Sequence, residues 1–285
     1  MLKSPARYRL LLVLAALLFS TGGAVFKAAS LTGWQVASFR SLVAAIVSLA
    51  AIPGARRGWT WRMAPVAVAY AATMVLFVLA NRLTTSANAI FLQSTAPIYV
   101  LLVSPWLLRE PIRRHDVIYI LCVGVGMGLF ALGHDRAVAT APNPPLGNAL
   151  ALASGVTYAA MVAGLRWLGR QKQGDAALTT IAAGNVAAFL IALPMALPVD
   201  YVGAADAVVI LYLGSIQIAL AYWCLAKGIS RVPAFEATTM LQVEPALNPV
   251  WTWLAHGERP NELAVAGGAV IVAATVANTW LQSRR

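Results

Sequence analysis

The sequence predicts an all-α integral membrane protein: ten transmembrane helices arranged as two inverted five-helix repeats. Three observations lead there. Sixty per cent of the 285 residues are hydrophobic and 11% are charged, where a soluble domain carries about 25% charged residues. Ten apolar segments follow one another, each close to the ~20 residues that a helix needs to cross a bilayer. A motif also recurs at one spacing: Pro97 with Arg109-Glu110-Pro111 behind it returns as Pro245 with Gly257-Glu258-Arg259-Pro260 behind it. Each residue of the Pro and Glu pair reappears 148 positions later. Repeats of 1–140 and 141–285 follow. Five helices per repeat is an odd number, so the second copy enters the membrane from the side opposite to the first.

The elements can be justified in order. The first segment, near 9–30, follows Lys3, Arg7 and Arg9 and runs into Ser20-Thr21-Gly22-Gly23-Ala24. A basic start before an apolar stretch can mark a secretory signal, but nine more segments follow, so it is read as a retained helix. The second, near 34–53, opens at Trp34, holds Arg40, and is followed by Arg56, Arg57, Trp59, Trp61 and Arg62. The third, near 63–81, ends at Arg82. The fourth, near 84–108, contains Pro97 and closes at Trp106 and Glu110. The fifth, near 115–133, follows Arg113 and Arg114 and carries Gly124 and Gly128. The sixth (146–168) ends in Arg166, Trp167, Arg170 and Lys172, and the seventh covers 175–198. The eighth (205–227) ends in Lys227 and Arg231, the ninth (232–255) contains Pro245, and the tenth (261–281) carries Ala264, Gly268 and Trp280 before Arg284 and Arg285. Abundant small residues and the lack of a period-two apolar pattern favour packed helices over a lipid-facing barrel.

Charge sets the orientation, because short cytoplasmic loops retain Lys and Arg. With both termini cytoplasmic, sixteen of the 21 basic residues fall on the inner side. Arg82, Arg136 and Arg259 fall on the outer side, and Lys27 and Arg40 lie within spans. This is the pattern of a multi-pass protein of the plasma or inner membrane. The net charge of +11 is spread over six short segments, so it calls for no nucleic-acid partner. Cys122 and Cys224 read as packing residues, and the tryptophans at span ends as interfacial anchors. Gly124 with Gly128, and Ala264 with Gly268, read as close-packing faces.

Ionisable groups inside spans are the informative ones. Lys27, Arg40, Glu236 and Glu244 would together cost on the order of 10 kcal/mol facing lipid, so they face the interior. Lys27 and Arg40 lie at similar depth and could meet an anionic group. A structural reading instead pairs Arg40 with Glu244 and lets Lys27 snorkel outward. Pro245 frees a carbonyl beside Glu244 and kinks its helix, which makes Glu244, with Glu236, Pro97 and Pro245, a candidate for coupling or gating. Asn88, Gln93 and Thr95 group on the fourth helix, with Asn88 and Thr95 two turns apart. Ser20, Thr157, Tyr158, Gln217 and Tyr222 add uncharged polar lining.

The chain has no Gly-Lys-Ser/Thr loop, no His-Glu-x-x-His and no Gly-x-Ser-x-Gly, so no cofactor, metal or catalytic group is expected. Duplicated bundles with enclosed polar groups are the usual build of carriers.

Lys27, the Trp34 to Arg40 stretch, Leu92 to Pro97 with Glu110, and Leu241 to Pro245 with Gly257-Glu258-Arg259 together resemble the EamA-type ten-helix carriers of the drug/metabolite transporter superfamily. The resemblance covers nearly the whole chain. Many members carry Trp in mid-first helix, where this chain has Phe19-Ser20. The resemblance implies a basket of two halves around a cavity, with the fifth and tenth helices at the back, and transport of small metabolites such as amino acids, with export expected here. The alternatives are a carrier of phosphorylated sugars or nucleotide-type anions, and a membrane-embedded enzyme. The expected partners are a small-molecule substrate and the lipid bilayer, with the protein a monomer or a weak homodimer.

Overall fold

A computed structural model describes residues 5–132, 141–170, 176–257 and 262–283. The second copy of the motif glutamate, Glu258, lies outside them, as do Lys3, His134, Arg136, Lys172, Arg259, Arg284 and Arg285. The described residues form ten helical rods. Rod 1 is α1 (Pro5–Ser20) and α2 (Gly22–Ala28), rod 2 is α3 (Gly33–Ala51), and rod 3 is α4 (Ala64–Leu83). Rod 4 is α5 (Ser86–Gln93) and α6 (Ala96–Leu107), and rod 5 is α7 (Arg114–Leu132). Rod 6 is α8 (Pro144–Arg170) and rod 7 is α9 (Ala176–Ala196). Rod 8 joins α10 (Ala204–Tyr212) and α11 (Ala221–Ile229) through a π-helical stretch, Leu213–Leu220. Rod 9 is α12 (Ala234–Leu241) and α13 (Val243–His256), and rod 10 is α14 (Glu262–Ser283). Among the described residues, seven of these rods are long and apolar enough to cross a membrane.

Pairing between rods shows the duplication. Rod 3 packs on rods 6 and 7, and rod 8 packs on rods 1 and 2; rod 4 packs on rod 6, and rod 9 on rod 1. Rods 2 and 7, 4 and 9, and 5 and 10 pair with their own counterparts. Each of these pairings is reproduced when five is added to each rod number, as a two-fold relation between repeats requires. The first half of rod 4 (α5) meets the second half of rod 9 (α13), and α6 meets α12. Rods 4 and 9 therefore cross antiparallel, which is the inversion expected from the odd helix count.

The polarity is that of a protein in lipid. Leu102, Ile118, Leu121, Leu190 and Val208 are exposed, while Arg40, Asn81, Asn185, Ser154 and Thr73 are buried. Some buried polar groups pair between rods: Asn185 Nδ2 donates to Tyr70 Oη (2.9 Å) and Thr73 Oγ1 to Thr157 Oγ1 (2.9 Å).

Rods 5 and 10 correct one expectation. Gly124 and Gly128 face open space. The close approach is made by Gly126, where a Cβ would fall 2.7 Å from Ile271 and 2.8 Å from the Gly267 carbonyl, and by Gly267 against the Gly126 carbonyl. Four-residue spacing picks out a helix face but not which face is covered. Gly126 lies on the other side of the turn from the pair that the spacing favoured. The Ala264 side chain is outside the described set; Gly268 packs on Phe91 instead.

Replacing Gly126 by Val is expected to destabilise the protein by about 1–3 kcal/mol through overpacking, whereas Gly124→Val should leave thermal unfolding in detergent unchanged. Equal melting temperatures for the two variants would contradict this packing.

Candidate functional site

The site grows out of two broken helices. Proline has no N–H, and its ring excludes the carbonyl four residues earlier. Pro97 therefore releases Gln93, where α5 ends, and Pro245 releases Leu241, where α12 ends. The breaks fall at Ser94-Thr95 and Gln242. In rod 4 the N–H of Ile98 turns to the Thr95 carbonyl (2.9 Å), which leaves the Ser94 carbonyl without its usual helical donor. Gln242 Nε2 supplies one at 3.0 Å, across 148 residues of sequence. That separation is the repeat spacing, so Ser94 and Gln242 are equivalent positions that meet where the two-fold axis passes.

Two small cavities flank this crossing, each of about 20 Å³. Gln93, Tyr158 and Glu244 line both. The first also reaches Ser94, Pro97, Gln242 and Pro245; the second reaches Arg40, Phe19, Phe77, Gln217 and Tyr222. A space of this size holds a water molecule, not a metabolite. A larger groove of about 830 Å³ opens between rods 4, 9 and 10, but its walls, Phe91, Pro249, Val250, Trp253 and Val272 among them, carry no ionisable group.

Arg40 is the largest side chain in full burial, at 1% exposure. Gly214 makes its position possible: a Cβ there would fall 2.5 Å from Val43 and 2.7 Å from the Arg40 carbonyl, so only glycine lets the π-helical stretch of rod 8 lie against α3. The guanidinium is held by Nη2 donating to the Met74 carbonyl (2.9 Å), by Nη1 reaching Gln217 Oε1 (3.5 Å), and by the Phe26 ring 4.8 Å away. Its Nε has no hydrogen-bond partner. Tyr222 stands edge-on between Phe19 and Tyr70, with centroids 4.8 Å from each, and Asn185 fixes Tyr70.

Several sequence expectations change here. No ion pair joins Arg40 to Glu244 among the described residues: both line one cavity and neither neutralises the other. Lys27 does not share that space, because it sits half-buried in the last turn of α2 while Arg40 turns inward over Phe26. Asn88 and Thr95 share no face, because the helix breaks between them. Asn88 Nδ2 reaches Thr84 Oγ1 (3.4 Å) at the start of rod 4, and Thr95 Oγ1 bonds back to the Leu92 carbonyl (2.8 Å). Glu236 lies at the end of the bundle where α1 starts, 2.7 Å from Arg9.

The other polar groups are distributed as follows. Gln93 Nε2 donates to Ser154 Oγ (2.6 Å) and Trp251 Nε1 to Ser20 Oγ (3.0 Å). The serine of each repeat's first rod is thus bonded to the other repeat's broken rod. Thr157 is occupied by Thr73 and the Ser154 carbonyl, and the Tyr158 hydroxyl is buried without a partner.

Sequence reasoning missed Gln242, although adding the repeat spacing to Ser94 would have found it. It also missed Met74 and Phe26, for which no sequence signal exists, because a carbonyl and a ring face acquire their roles only through packing.

An inverted duplication with ionisable residues enclosed between its halves defines a multi-pass membrane transporter. Comparison with known proteins agrees: residues 7–132 and 145–280 each match the EamA-like transporter family, and the chain belongs to that family. An uncharacterized transporter of Bacillus subtilis (strain 168), YdfC, is 44% identical over 63 residues, covering 22% of this chain and 21% of that protein. The match thus spans about a fifth of the relative's length. A solved structure described simply as the crystal structure of a protein superposes with a TM-score of 0.73 over 99% of both chains at 18% identity, a likeness of fold.

Substituting Gln242 by Met keeps the side-chain size and removes the donor to the Ser94 carbonyl. Stability in detergent should fall by about 1–3 kcal/mol, the cost of a buried acceptor left unsatisfied; an unchanged denaturation midpoint would show that the bond contributes nothing.

Proposed function

We propose that the protein is a secondary carrier that exports a small zwitterionic metabolite, an amino acid or a close relative, by alternating access across the plasma or inner membrane. The arginine-rich end of the bundle, with Arg9, Arg113, Arg166 and Arg231, faces the cytoplasm in this reading. The observation that carries it is that a guanidinium and a carboxyl group, those of Arg40 and Glu244, line one aromatic-walled cavity without pairing. A buried charge without a partner is costly, and a ligand bearing both a carboxylate and an ammonium group satisfies both. A phosphorylated sugar would satisfy Arg40 alone and bring further negative charge toward Glu244, so the zwitterion is favoured over that anion. The Tyr158 hydroxyl and the Arg40 Nε, both without partners, are donors for it. At about 20 Å³ the cavity admits such a ligand only when the repeats part, as alternating access requires.

Amino acids should raise the melting temperature of the purified protein in a thermal-shift screen; stabilisation by sugar phosphates alone would contradict the proposal. Charge-assisted contacts contribute about 1.5–3 kcal/mol, so Arg40→Gln should weaken binding of the ligand so identified about ten-fold or more while the ligand-free melting temperature is retained. An equal loss of stability would mark Arg40 as structural instead.

Glu244 is also proposed to carry a coupled proton. Glu244→Gln should lower pH-driven transport in proteoliposomes and flatten its pH dependence, while counterflow, which needs no proton gradient, persists. Wild-type pH dependence in that variant would remove Glu244 from the coupling role.

A further inference from the structure

The repeated glutamate marked by the sequence takes no part in the central cavity, yet Glu110 is tied more heavily than any other carboxylate at its end of the bundle. It lies just beyond α6, where rod 4 turns toward rod 5. Arg166 Nε of rod 6 meets its Oε1 at 3.0 Å, Arg170 Nη1 lies 4.0 Å from the same oxygen, and the backbone N–H of Ala234, the first residue of rod 9, donates to Oε2 at 3.1 Å. Arg166 also donates to the Ile229 carbonyl at the end of rod 8 (3.1 Å), and Arg170 to the Leu108 carbonyl. One carboxylate of the first repeat thus gathers rods 6, 8 and 9 of the second. Arg9 of rod 1 and Glu236 of rod 9 add a further tie between the repeats at the same end.

We infer that Glu110 is the latch of the arginine-rich end: its ion pairs with Arg166 and Arg170 hold the two repeats closed there, and their release opens the path from that end to the cavity at Glu244. The inference rests on the carrier reading above. Three features distinguish a latch from a permanent staple. Every partner of Glu110 in the second repeat comes from a rod terminus, where a small rotation of one repeat separates them together. The paired side chains keep 13% and 17% of their surface exposed, so solvent reaches the edge of the pair and salt can screen it. A cleft of about 320 Å³ already opens beside Glu110 and is walled by Pro111, Asp116, Pro233, Phe235 and Glu236; Thr238, half a turn beyond Glu236, lines the first central cavity. The opposite end is held differently, with Ser30 donating through N and Oγ to Asp206 (2.7 Å each), Gln35 Nε2 to the Ala196 carbonyl (3.2 Å) and Thr84 Oγ1 to Asn148 Oδ1 (2.8 Å).

The test is the reactivity of one cysteine, Thr238→Cys in a chain with Cys122 and Cys224 replaced by Ala, toward a membrane-impermeant thiol reagent applied from the arginine-rich side of oriented vesicles. Glu110→Gln is expected to raise the labelling rate about five-fold or more, and Arg166→Gln to do the same. The charge swap Glu110→Arg with Arg166→Glu should return the rate toward that of the parent. Where a variant fails to fold, raising salt from about 0.1 M to about 1 M on the parent chain should speed labelling by screening the pairs. Unchanged labelling in the folded single variants, or an equal rise from both sides of the membrane, would overturn the latch. Neither result touches the carrier reading, which counterflow tests separately.

Discussion

Where rods 4 and 9 cross, a glutamine side chain of one repeat replaces a hydrogen bond that is missing at the helix break of the other. Pro97 turns the Ile98 N–H toward Thr95 and leaves the Ser94 carbonyl bare in the middle of the bundle, and Gln242 satisfies it at 3.0 Å. A carbonyl buried there and left unsatisfied would cost about 1–3 kcal/mol. The bond fixes which residues of the two broken rods lie opposite each other, and the rest of the site follows from that register. Glu244, two residues beyond Gln242, and Gln93, just before Ser94, are brought to the same cavity, with Tyr158 from rod 6 closing the wall.

The same constraint explains why a guanidinium and a carboxyl group can stand near one another here without pairing. Arg40 arrives from rod 2, held by a carbonyl, an amide and a ring face, and Glu244 arrives from rod 9 through the crossing. Neither support depends on the other. Two independently held groups of opposite type, a guanidinium and a carboxyl, in a water-sized space are what the proposed zwitterionic substrate would engage. The breaks that create the site also shorten the stiff elements running through it, which suits the proposed tilting of each repeat about the crossing.

Much of this was legible in the chain. Composition and segment length give the helical membrane fold, the 148-residue recurrence of Pro and Glu gives the duplication, and the odd number of helices per repeat gives the inversion. Arg40, Glu244, Gln93, Tyr158, Gln217 and Tyr222 were visible as enclosed polar groups, since lipid forbids them elsewhere. What could not be read was which of them meet. Asn88 and Thr95 were grouped by helical periodicity, which fails across a break. Lys27 was placed with Arg40 by depth alone, and depth says nothing about the direction around a helix. Gly126 was passed over for Gly124 and Gly128 for the same reason. The π-helical stretch that seats Gln217 and the carbonyl that holds Arg40 have no sequence signature, because they arise from how rods 2, 3 and 8 fit together.

The central claim is that the two repeats rock about the Ser94–Gln242 crossing, and distances between spin labels at the two ends of the bundle in nanodiscs test it most directly. One label pair would bridge the repeats at Arg113 and Arg231, and the other at Thr32 and Val202. The account predicts reciprocal behaviour: conditions that lengthen the first distance shorten the second, with two populations exchanging weight. Two distances that stay single and fixed under every condition, or that lengthen together, would contradict it.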